Sequence, residues 1–254
     1  MSLEPTELIA RMAAVYAACK SYRDDGVVVC THIRGAHAFQ RSTGRQPFRT
    51  LFVRPSRWRF EFLEETVGPR HEWHHYVIWT DGTGHHSWWT LCPDSEGPLP
   101  ISRLLAGATG VSGGAAHTVP VLLDPEVGGY SLTTCRHAEY EGDDEEVDGC
   151  RCAKVRVTRE HGRAETLWID RGSFLLRRVL HRTEFNEEIH RRIEESLRIL
   201  NERRIAEGQQ PLPMGERMPG LVSESTTHYS PQLDIDIEDS EFAFVPPVIQ
   251  TGNE

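Results

Sequence analysis

Histidine is the side chain with the widest chemical reach in this sequence. There are 13 of them, and five crowd into one stretch as His71, His74-His75 and His85-His86. Neutral imidazole is a common metal ligand, and three ligands with an open fourth position make a catalytic zinc centre. The two pairs flank Asp81-Gly82, and Asp-Gly between β-rich runs signals a hairpin because both central residues need positive φ. With a two-residue turn there, Ile78 falls opposite His85, Val77 opposite His86 and His75 opposite Trp88. His75 and His86 then share a face as diagonal neighbours, and His71 could complete a three-histidine metal site. Adjacent residues of a strand point to opposite faces, so each pair offers one ligand per face. No carboxylate stands nearby at fixed spacing, and the plainer reading is sheet histidines that titrate near neutral pH.

Other reactive patterns are missing. There is no Gly-x-Ser-x-Gly nucleophile motif, and the glycine-rich 107–114 stretch lacks the Gly-Lys-Ser/Thr of a phosphate loop. Asp143-Asp144 lies in an acidic loop, where nothing shields a carboxyl enough to raise its pKa. Beyond a metal-dependent activity of the histidine hairpin, no residue pattern supports an enzyme, and no cofactor is expected. Six cysteines show no zinc spacing. If 130–140 and 150–160 form a hairpin symmetric about the loop 141–146, Cys135 faces Cys152, at a separation a cross-strand disulfide can span. Buried free thiols are the other reading.

The elements that must position these residues are mainly strands. The chain has 254 residues and is 38% hydrophobic and 26% charged, a globular balance. Its formal net charge of −10 argues against nucleic acid as a partner. No apolar run approaches the ~20 residues of a membrane span, and Glu4, Glu7 and Arg11 interrupt what would be the apolar part of a signal peptide. Residues 5–22 read as a helix with Leu8, Met12, Val15 and Cys19 on one stripe, broken by Asp24-Asp25-Gly26. Strands follow at 27–33, 48–53, 57–64 and through the 73–91 hairpin, with a loop over 34–46 and a turn at Gly68-Pro69. Residues 92–100 read as loop and 101–108 as a short helix. The segment 93–128 lacks sheet alternation and is expected to be a lid or plug. Hairpins follow at 130–160 and 165–182, the latter around Asp170-Arg171-Gly172. A long helix over 184–207 then carries Phe185, Ile189, Ile193, Leu197 and Leu200 on one narrow stripe and ends at Gly208. It either packs locally by that edge or reaches for a protein partner. After a linker at 213–219 and a strand at 221–229, the chain closes on Phe242-Ala243-Phe244-Val245-Pro246-Pro247.

The centre of this organisation is Arg57-Trp58-Arg59-Phe60-Glu61-Phe62. Period-two alternation places Trp58, Phe60 and Phe62 on one face and Arg57, Arg59 and Glu61 on the other. Tyr76, Ile78 and Trp89 extend the aromatic face across the next hairpin. Such a face lines either an apolar ligand cavity or a filled core; in a cavity, each CH₂ taken from water contributes about 0.8 kcal/mol.

Taken in order, several features resemble one family. They are the leading helix before Tyr22-Arg23-Asp24-Asp25-Gly26, the Arg-Pro-Ser-Arg-Trp-Arg-Phe-Glu-Phe strand at 54–62 and the Trp-Thr-Asp-Gly turn at 79–82. Further on come Glu146-Val147-Asp148-Gly149, Leu167-Trp168-Ile169-Asp170 before the paired Arg177-Arg178, and the closing Phe242–Pro247. Over residues 10–247 this resembles the lipoprotein-carrier superfamily of LolA and LolB type, in particular its exported relatives. The resemblance implies a mostly antiparallel α+β fold: a strongly curved, half-open β-barrel with an N-terminal helix, here one domain over 5–247 with a 248–254 tail. It also implies a periplasmic or otherwise exported protein that binds, without chemistry, a lipid acyl chain or a lipidated protein in its concavity. Against the family pattern, the 184–207 helix is an insertion.

Overall fold

A computed structural model describes residues 3–34, 40–65, 73–159, 164–213 and 220–247. The turn at Gly68-Pro69, His71, most of the 213–219 linker and the tail from 248 lie outside these residues. The described chain contains helix α1 (Pro5–Ala18), then strands β1 (Ser21–Arg34), β2 (Gln40–Val53), β3 (Arg57–Glu65), β4 (Trp73–Asp81), β5 (Gly84–Trp89) and β6 (Cys92–Leu99). Short helices α2 (Ile101–Thr109), α3 (Ala115–Thr118) and α4 (Pro120–Leu123) follow. Then come β7 (Cys135–Tyr140), β8 (Glu145–Val147), β9 (Cys150–Arg159), β10 (Ala164–Asp170) and β11 (Leu176–Glu184). Helix α5 (Glu187–Ala206), β12 (Leu221–His228) and β13 (Gln232–Leu233) complete it.

The strands form one sheet in the order β6-β5-β4-β3-β2-β1-β12-β11-β10-β9-β7, with β13 beside β1 and β8 beside β9. The path does not close, and the strand registers are antiparallel. By contact density the chain divides into two units. One contains 1–29, 44–181 and 226–254; the other contains 30–43 and 182–225.

In the first unit the sheet curves around a helical layer. Helix α2 packs on β4 and β5, while α1 packs on α4 and on β7 near the opposite edge. Helix α1 buries Leu8, Ile9, Met12 and Tyr16. It ends at Ala18, four residues before the sequence pattern suggested, because Arg54 takes up its terminal carbonyls. Arg54 Nε donates to Cys19 O at 2.7 Å, and its other nitrogen donates to Tyr16 O and Ala17 O.

Asp24-Asp25-Gly26, expected to break the chain before the first strand, instead lies inside β1. Gly26 permits this. A Cβ there would stand 2.2 Å from the Phe48 ring and 2.6 Å from His228 O, so the missing side chain makes room for Phe48 to cross the strand. Residues 92–99, read as loop from their Pro, Gly and acidic content, are an edge strand pairing with β5 through an irregular register. Proline is tolerated at an edge, where one row of N–H groups has no strand to meet.

The outer face of β3–β5 carries Arg57, Arg59 and Glu61, as the alternation requires, and the C-terminal segment straps it. Arg59 donates to Glu241 O and Ala243 O at 3.0 and 2.7 Å. Phe244 packs on Val77, Trp79 and Trp88, and Arg57 lies 4.5 Å over the Phe242 ring.

The second unit is built around α5. Asn186 caps it by accepting from Ile189 N at 3.0 Å, and Gly208, at φ +75, follows its last turn. Phe185 N donates to Leu221 O at 2.8 Å, joining the helix entrance to β12.

Candidate functional site

The inner face of β2–β5 assembles the aromatic row. Register places Phe48 opposite Phe62, Thr50 opposite Phe60 and Phe52 opposite Trp58. Next door, Phe60 meets Ile78 and Phe62 meets Tyr76, and Tyr76 meets Trp89. The rings run as a chain from Tyr229 to Phe48 (5.8 Å), Phe60 (6.4 Å), Phe62 (6.3 Å), Tyr76 (5.5 Å) and Trp89 (6.0 Å). Phe52 packs on Trp58 at 4.5 Å. All six residues singled out from the sequence thus share one face. Phe48, Phe52 and Tyr229 belong with them and were missed. Phe48 and Phe52 are legible from the alternation in β2; Tyr229 needs the β12 pairing, which no local pattern shows.

Trp58, Phe60 and Ile78 have no solvent exposure, and Phe62 has 1%. The segment 101–127 covers the row. It brings Leu104, Leu105, Ala108, Ala116 and Leu123, all buried. Its sequence fits this role: helix α2 puts Ile101, Leu104, Leu105 and Ala108 on one side, the three-and-four spacing of a packing face. At the other end Asp124 Oδ1 accepts from Glu126 N, while Oδ2 lies 3.4 Å from Trp58 Nε1. Gly128 and Gly129 follow at φ +66 and +85, and Gly128 O lies 3.1 Å from His117 Nε2. Burial lowers the pKa of His117, and the Gly128 carbonyl opposes that shift.

At its β5 end the row comes to the surface. Tyr76 and Trp89 are only half-buried. A Cβ on Gly107 would sit 3.8 Å from Tyr76 Oη, so α2 passes close to the phenol. The indole Nε1 of Trp89 is buried without a hydrogen-bond partner among the described residues.

The histidine hairpin has a different register from the one expected. The turn residues are Gly82-Thr83, so Asp81 pairs with Gly84, Trp79 with His86 and Val77 with Trp88. Thr83 N and Oγ1 both donate to Asp81 Oδ1 at 2.7 Å, fixing this turn. His75 and His86 keep a common face, but Trp79 is four residues from His75 along β4, roughly 13 Å at strand rise. The metal candidates His75 and His86 are therefore corrected: each has its own carboxylate instead. His75 Nε2 lies 3.0 Å from Glu61 and His86 Nε2 3.2 Å from Asp81. Burial alone would raise the Glu61 pKa, but His75 and Arg59 outweigh it and leave the carboxyl below its usual value. Among the described residues, no three His, Cys, Asp or Glu side chains gather to hold a metal.

The disulfide expectation is also corrected. The chain leaves the sheet at 141–144 and returns as β8, so the hairpin is not symmetric. Cys135 pairs with Arg159, whereas Cys152 pairs with Glu145. Seven residues of β9 separate the two positions, roughly 23 Å. Both are free thiols. Burial pushes Cys152 up to about 11.

One feature that sequence reasoning missed is a buried carboxyl in β1. Asp24 is fully buried. It accepts from Tyr22 Oη at 3.0 Å and from Ser230 N at 2.6 Å. Tyr16 and Tyr229 are buried beside it and interact with it electrostatically. Burial raises the Asp24 pKa to about 7, against the pull of its two donors.

Comparison with protein-family models gives no match, and comparison with curated sequences gives none. Among solved structures, a DUF1329 family protein from Desulfovibrio piger is 12% identical, with 95% of this chain and 98% of that one covered and a TM-score of 0.35. A putative outer membrane lipoprotein-sorting protein domain from Vibrio parahaemolyticus is 10% identical, with 94% and 95% covered and a TM-score of 0.33. The fold is also similar to that of a LolA superfamily protein. That protein, from Nitrosomonas europaea, is 11% identical, with 96% and 99% covered and a TM-score of 0.31.

Proposed function

We propose that this protein binds an apolar chain, that of a lipid or a lipidated polypeptide, on the inner aromatic face, without covalent chemistry. One observation carries the reading. A continuous row of rings is roofed by a separate helical segment, and the row emerges at Tyr76 and Trp89. A sheet that needed only a core would not require its last two rings to reach the surface.

The chemistry fits a hydrocarbon with a polar end. Displacing 101–127 would uncover Phe60, Phe62 and Ile78 for a chain to replace the aliphatic roof, at about 0.8 kcal/mol per CH₂ transferred. Tyr76 would meet the head group at the mouth, and the buried Trp89 Nε1, unpaired among the described residues, would offer it a donor once uncovered. The roof lies between Pro100 and Gly128-Gly129, and the Asp124–Trp58 contact is a polar tie between roof and sheet. The exported localisation suggested by the sequence resemblance belongs to the same proposal. No helix of the described residues is long and apolar enough to cross a membrane.

The test is uptake of a fluorescent fatty acid, with native mass spectrometry of the purified protein for retained lipid. Trp89→Ala should weaken uptake several-fold in a folded protein, and Asp124→Ala should speed it by loosening the roof. If neither the parent nor the loosened variant takes up the probe, the carrier reading fails. A second reading, a protein-interaction module, rests on the exposed aliphatic side of α5.

A further inference from the structure

Helix α5 is turned the opposite way from an ordinary packing helix. Its inward side is buried His190 with half-buried Glu194, Leu197, Asn201 and Arg204, spaced by four and three, so one stripe of mostly polar residues faces inward. The chain after the helix covers part of that stripe. Asn201 Nδ2 donates to Leu212 O at 3.0 Å and Oδ1 accepts from Leu212 N at 2.7 Å; Arg204 Nε donates to Gln210 O at 2.9 Å. The neighbouring stripe points outward and is aliphatic. Ile193, Ile199 and Leu200 are 47%, 54% and 44% exposed. Half-buried Ile189 adjoins it toward the N-terminus, and exposed Ser196 sits in the middle. An aliphatic stripe at three-and-four spacing with a small residue at its centre is the surface one helix offers another.

We infer that this stripe is the contact between two copies of the chain, with the α5 helices packed antiparallel across a two-fold axis at Ser196. Charge selects a second copy in this orientation. The chain carries a net charge of −10, which opposes self-association elsewhere on its surface. Helix α5 is neutral, with five glutamates and five arginines. Its first turn is acidic, with Glu187 and Glu188, and its last turn is basic, with Arg203 and Arg204. An antiparallel pair sets the acidic turn of each copy over the basic turn of the other; a parallel pair stacks like on like. Pairing about Ser196 places Ile193 against Ile199 of the second copy, and the small Ser196 lets the two backbones approach. The rim pays little desolvation cost, because Arg192 already pairs with Glu188 and Arg203 with Glu207 within the helix. One 20-residue helix pair is smaller than the ~1,600 Å² standard interface, so the expected dissociation constant is on the order of micromolar.

Sedimentation velocity of the full chain over a concentration series tests this. The parent should convert from monomer to dimer, and Ile193→Asp with Leu200→Asp should raise the dissociation constant at least tenfold. Both residues are at the surface, so an unchanged circular dichroism spectrum is expected and checks folding. Ser196→Cys should give a disulfide-linked dimer on mild oxidation, and Glu188→Cys should give none, since the antiparallel arrangement keeps the two copies of position 188 apart. A parent that stays monomeric at roughly millimolar concentration overturns the inference, whether or not it sediments with lipid vesicles or another protein. A dimer indifferent to the aspartates, or linked through position 188 instead of 196, overturns it equally.

Discussion

Two helical segments interrupt this sheet, and they use their aliphatic residues in opposite ways. The 101–127 segment turns Leu104, Leu105, Ala108 and Leu123 inward, where all are buried. Helix α5 turns Ile193, Ile199 and Leu200 outward and holds Glu194, Asn201 and Arg204 half-buried. The difference follows from what stabilises each. Helix α2 has nine residues, too few to persist alone, so it exists because its apolar side is covered. Helix α5 has 20 residues and its own ladder of charge pairs, Arg192–Glu188, Arg198–Glu195 and Arg198–Glu202. Each pair contributes a few tenths of a kcal/mol. A helix supported along its own surface can leave an apolar stripe open, and a short one cannot.

Removing side chains should separate the two regions sharply. The largest effect is expected at Phe60→Ala, which deletes a fully buried ring touching Phe48 and Phe62. Urea unfolding should show a loss of about 3–5 kcal/mol. Leu105→Ala, in the roof itself and with no exposure, should cost about 2–5 kcal/mol. If Leu105→Ala instead costs under about 0.5 kcal/mol, the roof is not packed on the row and the contrast with α5 disappears.

The polar part of the core should respond to pH. Asp24 is raised to about 7 in the folded protein, against an ordinary carboxyl near 3.9 in the unfolded chain. The folded state therefore holds the proton more tightly. The associated stability is fully present below about pH 4 and is lost as pH rises through about 7. Asp24→Asn keeps an oxygen for Ser230 N and carries no charge. Thermal melts of the variant should show a flatter profile between about pH 4 and 7, with the largest gain over the parent above pH 7. A parent and variant with parallel profiles would falsify the buried-carboxyl account.

Gly26→Ala should be milder. The new methyl meets both the Phe48 ring and the His228 carbonyl, so the ring and the neighbouring strand must shift, and overpacking of this kind costs about 1–3 kcal/mol. Chemical denaturation reads that loss, and Phe48→Leu combined with Gly26→Ala should recover part of it if the ring is the obstacle.

Much of the architecture is legible in the sequence where period-two alternation is strict. Trp58-Arg59-Phe60-Glu61-Phe62 and Thr166 to Asp170 lie in strands as expected, and the helix expected over 184–207 appears as Glu187–Ala206 with its glycine end, leaving Phe185 before the cap. Local pattern failed where a distant residue decides. Asp24-Asp25-Gly26 has turn composition, yet Phe48 fills the glycine's place and Ser230 satisfies the aspartate, so the segment stays in β1. Cys135 and Cys152 depended on a hairpin symmetry that the 141–144 excursion breaks. The hairpin at 81–84 slipped by two positions because the Asp81 side chain, bonded to Thr83, moves the turn forward. The aromatic row and a lid-like segment were both legible, but the lid was read from 93, whereas residues 92–99 form an edge strand and the helical segment starts at Ile101.

The smallest effect belongs to α5 and is the sharpest check on the comparison. Leu200→Ala removes a side chain 44% exposed, on a helix held by its own charge pairs. In dilute protein, where any self-association is dissociated, it should change the unfolding free energy by no more than about 0.5 kcal/mol. The same Leu→Ala change at position 105 is expected to cost several times that. The chemistry removed is identical, so the ratio of the two losses measures burial directly. A dilute Leu200→Ala protein that loses 2 kcal/mol or more, on the scale of buried leucines, would mean that the outward stripe packs on its own chain, leaving α5 no free surface to offer a second copy.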